Sequence, residues 1–432
     1  MRVRSLAKVV FALAAVWSAG ARAEEPSPAI VLRAAHWFDA SSGRLLDGAA
    51  VLVQGEKITA VDARQPPSGA RVIDLGDATL LPGLIDAHTH LTTEMQKDFY
   101  RGFHTEMFRF STEQAHYAAV YALRTLEAGF TTVRDVGASE FVDVGLRNAI
   151  AANIVPGPRM LTAVHAIGST GGHCDAGPFP PDRVVPPGVA QGVCNGPEEC
   201  RAAVRHQLKY GADVIKICAS GGVLSEADPV DVPQLTAAEL SAIVSEAKAW
   251  KRKVAAHAHG DLAARLAVEA GVDSIEHGSF LSEDTLRRMK AKGTYLVPTR
   301  LAVYTVNQQA SSFPPAIAAK ARAAWQAHEK MFRAALKIGV PIAFGTDSGV
   351  SAHGLNATEL VLLTELGMTP AAALLSATRD AARLLGVDAE VGTLAPGKLA
   401  DVVAVKGNVL ANIASAQRPI FVMKHGKVIR SP

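Results

Sequence analysis

Cysteine is scarce in this chain. Its 432 residues hold four, Cys174, Cys194, Cys200 and Cys218. None belongs to a Cys-x-x-Cys pair, which argues against a structural zinc site built from thiolates. Long apolar runs are missing from the body of the chain. No stretch beyond the N-terminus supplies about 18 unbroken apolar residues, so a membrane-spanning helix is excluded there. An excess of one charge is missing too. The formal charge of +3 comes from the first 23 residues, which carry Arg2, Arg4, Lys8 and Arg22 and no acid. Without them 40 basic side chains face 41 acidic ones, which leaves no electrostatic footprint for nucleic acid. Solenoid repeats and low-complexity tracts are also absent. What is abundant is apolar material: 49% hydrophobic against 20% charged residues. That suffices for a large core and excludes a disordered or collagen-like chain.

The N-terminus reads as a secretory signal. Met1 to Lys8 is basic, Val9 to Ala21 is a short apolar run, and Ala21-Arg22-Ala23 is a small-x-small cleavage site. Cleavage after Ala23 predicts a secreted or periplasmic protein, off the membrane once cut, in an oxidising compartment. Four cysteines allow three complete pairings. A disulfide pinning the Pro/Gly-rich stretch from Gly171 to Pro197 is expected, while Cys218, in a buried strand, reads as a free thiol.

Both ends of the body are β-rich. Ala49 to Val53, Lys57 to Val61 and Arg71 to Leu75 read as strands near the start, and Val402 to Val405 and Phe421 to Lys424 near the end. The middle alternates. Buried apolar runs fall at Leu84–Ile85, Thr131–Arg134, Met160–Val164, Val214–Ile217, Val254–Ala258, Ser274–Glu276, Tyr295–Val297 and Ile342–Phe344, with helical stretches such as Thr236–Trp250, Leu262–Ala270 and Trp325–Ile338 separating them. Strand then helix, eight times, predicts an α/β chain: a (β/α)₈ TIM-like barrel. Residues 81–390 would form the barrel. Residues 24–80 and 391–432 would meet as one small β-sandwich, discontinuous in sequence.

Barrel active sites form at the C-terminal ends of the strands. The first strand ends in His88-Thr89-His90, whose imidazoles at i and i+2 face the same way. The fourth carries Lys216, the fifth His257 and His259, the sixth ends in Glu276-His277 and the eighth in Asp347. Each alone has a plain structural explanation. A packed histidine pair, core histidines and a helix-capping aspartate are all ordinary. Their joint occurrence at one end of successive strands is not. Neutral imidazoles and carboxylates bind divalent transition metals, zinc above all. Two adjacent metals need a bridging anion to offset their repulsion. An ammonium cannot serve, but a lysine carboxylated by CO₂ can, and that would also explain a lysine in an apolar strand. Glu276, preceding a ligand, is expected to face outward.

These residues resemble the amidohydrolase superfamily. Leu81-Pro-Gly-Leu-Ile-Asp-Ala-His-Thr-His90 is similar to its first-strand signature, and Gly392-Thr-Leu-Ala-Pro-Gly-Lys-Leu-Ala-Asp401 to its return into the β-sandwich. Lys216 points to the binuclear branch and away from mononuclear deaminases. Thr170-Gly-Gly-His173, Gly211 to Ile217 followed by Ser220-Gly-Gly222, His257-Ala-His259 and Gly345-Thr-Asp-Ser348 resemble the exported Xaa-Pro dipeptidase (prolidase-like) branch, which includes ochratoxin-hydrolysing amidases. The resemblance implies two divalent metals, with His88, His90 and Asp347 on one, His257 and His277 on the other, and carboxylated Lys216 and a hydroxide bridging them. Asp347 would act as general base, then acid. His173 would stabilise the oxyanion. His259, His165, Tyr304 and His353 are candidate substrate contacts. Arg300 could meet a substrate carboxylate but reads as solvated. His104, His116, His206 and His328 fall in predicted helices and read as structural. The substrate would be a dipeptide or N-acyl amino acid, and the chain a homo-oligomer, with Trp325 a candidate for its interfaces. The alternatives are a cyclic-amide hydrolase or lactonase of the same superfamily, or a non-catalytic metal- or solute-binding barrel.

Overall fold

The structure is a computed structural model that describes residues 29–63, 65–175, 180–226 and 228–432. The expected signal segment, 1–23, lies outside the described residues. No helix among them is long and apolar enough to cross a membrane.

The two β-rich ends form one eight-stranded sheet. Its order runs Lys427–Arg430, Phe421–Lys424, Val402–Lys406, Ala78–Pro82, Ile30–Asp39, Arg44–Gln54, Lys57–Ala60, with Arg71–Asp74 also against Ile30–Asp39. The seam joining the two ends is the antiparallel pair of Ala78–Pro82 with Val402–Lys406, in the register Leu80 to Ala404. The sheet curls on itself, because the Ile58 amide donates to the Lys398 carbonyl (2.9 Å) and the Ala400 amide to Glu56 (2.8 Å). Inside it Leu32, Val51, Val53, Ile58, Leu80 and Phe421 make a separate apolar core.

The middle is the expected barrel. Leu84–Thr89, Phe130–Asp135 and Arg159–Thr162 pair in parallel. So do Val214–Cys218, Lys253–Ala258, Ser274–His277 and Tyr295–Val297. Two irregular joints complete the ring. Between the third and fourth strands, the Asp213 amide donates to Thr162 O (2.7 Å) and the Ile167 amide to Lys216 O (2.8 Å). The eighth segment, 342–348, bonds to both neighbours through Ala343 N to Leu296 O (3.0 Å) and Ala87 N to Phe344 O (2.9 Å). It makes bridges rather than a full ladder. At Gly345 a Cβ would sit 2.3 Å from Val297 Cγ1 and 2.9 Å from His88 Cβ, so only glycine lets it approach this closely. Asp86 ties the joint together, accepting from Thr346 Oγ1 (2.6 Å) and Asn356 Nδ2 (2.8 Å).

The helices follow local rules. Ala237–Ala249 opens on a capping box of Thr236 and Glu239. Asp261–Ala270 ends at Gly271, whose φ of 92° is left-handed. At the base of the ring Phe130 stacks on Phe344 at 5.4 Å between centroids, both fully buried. We predict that Phe130→Ala destabilises the protein by about 3–5 kcal/mol. A lowered denaturation midpoint, with an unchanged far-ultraviolet spectrum below it, would show this.

Candidate metal centre

The site is assembled from strand ends, and three of its backbone positions are left-handed. His277, Thr299 and Asp347 have φ of 67°, 48° and 59°, conformations that cost of order 1–3 kcal/mol each and persist only where the surroundings enforce them. One consequence corrects an expectation. Glu276 does not face outward: it is fully buried and its carboxylate reaches His88. The left-handed turn at His277 breaks strand alternation, so Glu276 and His277 both project into the ring.

Glu276 anchors the centre. His88 Nδ1–H donates to its Oε2 (2.7 Å) and Arg134 Nη2 to its Oε1 (2.9 Å), while Ser274 Oγ also donates to Oε1. Burial works to raise the Glu276 pKa, but Arg134 and His88 outweigh it and hold it at about 2. Fixing His88 Nδ1 this way aims its Nε2 at Asp347, 3.5 Å away. His90 repeats the pattern, with Nδ1–H on Gly137 O (2.9 Å) and Nε2 3.3 Å from Asp347. His277 gives its Nδ1–H to Thr299 Oγ1 (2.7 Å), whose own hydroxyl donates to Pro298 O. His259 Nδ1 hydrogen-bonds Ser279 Oγ (2.9 Å). His257 is turned the other way, with Nε2–H on Gly221 O (3.1 Å). One nitrogen of each ring is thus held from behind, and the other is free for a ligand role. That is the arrangement by which proteins orient metal-binding imidazoles.

Two groups of donor atoms result, His88, His90 and Asp347, and His257, His259 and His277, the atoms of each lying within 4.8 Å of one another. They adjoin, since the His88 and His277 rings are 5.0 Å apart and those of His257 and His277 4.7 Å. Burial pushes the His259 pKa down to about 3 and those of His257 and His277 well below the usual range, so all three are neutral donors. Burial would raise the Asp347 pKa, but His88 and His90 outweigh it and keep the carboxylate ionised. Lys216, only 4% exposed, has its pKa lowered to about 8, by burial first. The donor set fits divalent metals.

The cluster lines a cavity of about 400 Å³ that also has an aliphatic wall, with Val223, Leu224, Val303 and Val306. His165, His173 and His259 are among its lining residues. His173 is held by its amide on Gln234 Oε1 (2.8 Å) and by Nδ1 on Ser225 Oγ (3.1 Å), its ring 4.4 Å from that of His257.

Several other expectations are corrected. Tyr304 and His353 are not among the lining residues. Ala302, Val303 and Val306 take the cavity face of their helix, which turns Tyr304 towards Trp325 (5.9 Å). His353 stacks on Tyr121 (4.6 Å) and donates to Thr93 O (2.8 Å). Arg300 is neither solvated nor substrate-facing: it is buried, its guanidinium 3.4 Å from the Trp325 ring centroid. Cys218 is not a free thiol. Strand alternation turns it with Lys216 towards the cavity, where it bonds Cys174, while Cys194 bonds Cys200. His104, His116, His206 and His328 do lie in helices. Glu276 as the orienter of His88 is the residue sequence reasoning missed. A carboxylate inside the short buried strand Ser274-Ile-Glu-His277 was the available signal, since a buried charge needs a partner.

A barrel whose strand ends converge two metal-capable groups on a lysine-bearing cavity defines a hydrolase centre of the metal-assisted class. The chain belongs to the amidohydrolase family, whose model matches residues 79–429. It is similar to the ochratoxinase of Aspergillus niger, 33% identical over 371 residues, or 82% of this chain and 76% of that protein. The crystal structure of A. niger ochratoxinase matches with a TM-score of 0.83 at 30% identity, covering 94% of this chain and 97% of that one. A Xaa-Pro dipeptidase with methionine bound in its active site gives 0.89 at 38% identity, covering 93% and 99%. A prolidase complexed with N-methylphosphonate-L-proline gives 0.84 at 30%, covering 94% and 100%. The expected subgroup is borne out, and the chain is a hydrolytic enzyme acting on amides.

Glu276→Gln should remove the charge that Arg134 and His88 share, leaving a buried cation unpaired, at a cost of about 3–5 kcal/mol. The sign of its pH dependence is fixed. A carboxyl held at about 2 instead of its ordinary 4.5 contributes stability above 4.5 and loses it as pH falls towards 2. The difference in unfolding free energy between parent and variant should therefore shrink over that window, as acid titrations of both would show.

Proposed function

We propose that the chain is an exported binuclear metallohydrolase that frees an amino acid from N-acyl amino acids or Xaa-Pro-type dipeptides. The observation carrying this reading is the pair of adjoining donor groups on one cavity that also holds Lys216. In this reading His88, His90 and Asp347 would hold one metal and His257 and His277 the other, with His259 beside them on the substrate side. Zinc suits the imidazole and carboxylate set. Lys216, carboxylated by CO₂, would add an anionic oxygen ligand to this set. Its lowered pKa raises the fraction of free amine, the form that adds to CO₂, and the carbamate removes the cost of a buried ammonium. Bound metals would polarise the amide carbonyl and lower the pKa of a water towards ~7.

The chain's own groups then divide the work. Asp347, ionised and beside His88 and His90, takes the proton of the attacking water and hands it to the leaving amine. His173, whose pKa burial pushes down to about 4, lines the cavity as a neutral imidazole, and with Nδ1 accepting from Ser225 Oγ–H its Nε2–H is the donor for the developing oxyanion. The aliphatic wall favours an apolar acyl group or side chain, and about 400 Å³ suits a ligand of this size. The similarity to an ochratoxinase and to dipeptidases supports both candidate classes.

We read residues 24–80 and 391–432 as the β-domain and 81–390 as the hydrolase barrel. Two disulfides among the described residues support export to an oxidising compartment. Exposed Tyr100, Phe103, Phe108 and Phe110 support self-association.

The test is release of a free amino acid from Xaa-Pro dipeptides, N-acyl-phenylalanines and ochratoxin A by the metal-loaded protein. Release that Lys216→Ala abolishes is the expected result and names the leaving group. No release from any member would overturn the peptidase reading and favour cyclic amides or lactones. His173→Ala should lower kcat by about 10²–10³ with metal content unchanged.

A further inference from the structure

The Cys174–Cys218 disulfide has a position that structural stapling does not require. Both cysteines line the cavity. Cys218 ends the fourth strand, two residues beyond Lys216, and pairs in register with His257 on the fifth. Cys174 directly follows His173, whose ring lies 4.4 Å from that of His257. The bond therefore ties the loop bearing His173 to the strand position beside the histidine that His173 contacts. The other disulfide is different in kind. Cys194 and Cys200 are six apart in sequence, fully buried in the main core and absent from the cavity wall.

The segment around His173 is tied to its surroundings among the described residues in two ways. Most backbone bonds of residues 169–175 are local turns, such as Gly172 N to Ser169 O and Asp175 N to Gly172 O (both 3.0 Å). Its reach to neighbouring loops runs through Gln234 and Ser225 for His173, and through Asn195, whose Nδ2 donates to Thr170 Oγ1 (2.9 Å). The fit is close on both sides. A Cβ on Gly168 would lie 2.8 Å from Cys174 Cβ, and one on Gly222 2.1 Å from the His173 ring.

We propose that the Cys174–Cys218 disulfide is a positioning strap, which holds His173 over the metal-capable cluster so that hydrolysis depends on the bond. This rests on the role given to His173 above. The sulfurs themselves touch no reacting atom. They act by fixing the loop, and misplacing a catalytic group by about 1 Å can cost of order 10²-fold in rate.

Four proteins test it: the parent, Cys174→Ala/Cys218→Ala, His173→Ala, and the triple variant. Metal content, thermal midpoint and amide hydrogen exchange of residues 169–175 accompany kcat and KM for each. The strapless variant should keep the parent's metal content, lose kcat by about 10²-fold and exchange faster at 169–175. Adding His173→Ala to it should change kcat little, because the strap and the imidazole act through one position. If the alanine pair does not fold, the serine pair carries the same readouts. Two results would overturn the proposal: kcat within twofold of the parent without the strap, or a full His173→Ala effect on top of the strap's loss. If the parent hydrolyses no amide, the functional reading has failed, and exchange at 169–175 decides the strap alone. Faster exchange without the bond supports it, and unchanged exchange removes it.

Discussion

Glu276 sits under the barrel mouth with a guanidinium on one oxygen and an imidazole on the other, all three side chains cut off from water. Such a carboxylate is tolerable only when both partners stay in place. Arg134 comes from the second strand and also donates through Nε to Ala87 O on the first (2.5 Å), while Glu276 comes from the sixth and His88 from the first. One charge thus couples the two sets of ladder strands across the barrel interior. It also fixes which nitrogen of His88 carries the proton. The rest of the centre inherits that choice, since Nε2 of His88 and of His90 then converge on Asp347.

The same mouth concentrates backbone strain. Left-handed φ at His277 and Asp347 lets side chains leave the strands where alternation would send them outward, and Thr299, also left-handed, supplies the oxygen that orients His277. The regular ladders below over-determine these positions, as does the Phe130–Phe344 stack at the base. A rigid lower ring and a strained upper rim are complementary parts of one design. The first supplies the packing energy and the second the geometry of the donors.

Polarity in the cavity is just as unevenly placed. Imidazoles, Asp347 and Lys216 gather in one part of the lining, and Val223, Leu224, Val306 and Val350 cluster in another. A low-dielectric wall strengthens the electrostatics of the polar part and gives an apolar substrate group somewhere to lie. The Cys174–Cys218 bond crosses from loop to strand on the donor side of the cavity, beside His257, so loop position and donor geometry are tied by one covalent link.

Much of this was legible in the chain itself. Period-two and helical patterning are local, so the eight buried runs and the two β-rich ends could be read without coordinates. His88, His90, Lys216, His257, His277 and Asp347 could be found because barrel strands all deliver their ends to one face. What depended on torsion or on distant neighbours could not be read. Alternation predicted an outward Glu276, and a single left-handed residue reversed it. Burial alone suggested that Cys218 was a free thiol, but a loop 44 residues away in sequence brought its partner. Helix position left Tyr304 and Arg300 near the site, and the Trp325 ring drew both away. Local sequence determines which elements form and what chemistry they carry. Which side chains meet is decided by how those elements close into a ring, because that contact energy exists only once distant segments are packed together.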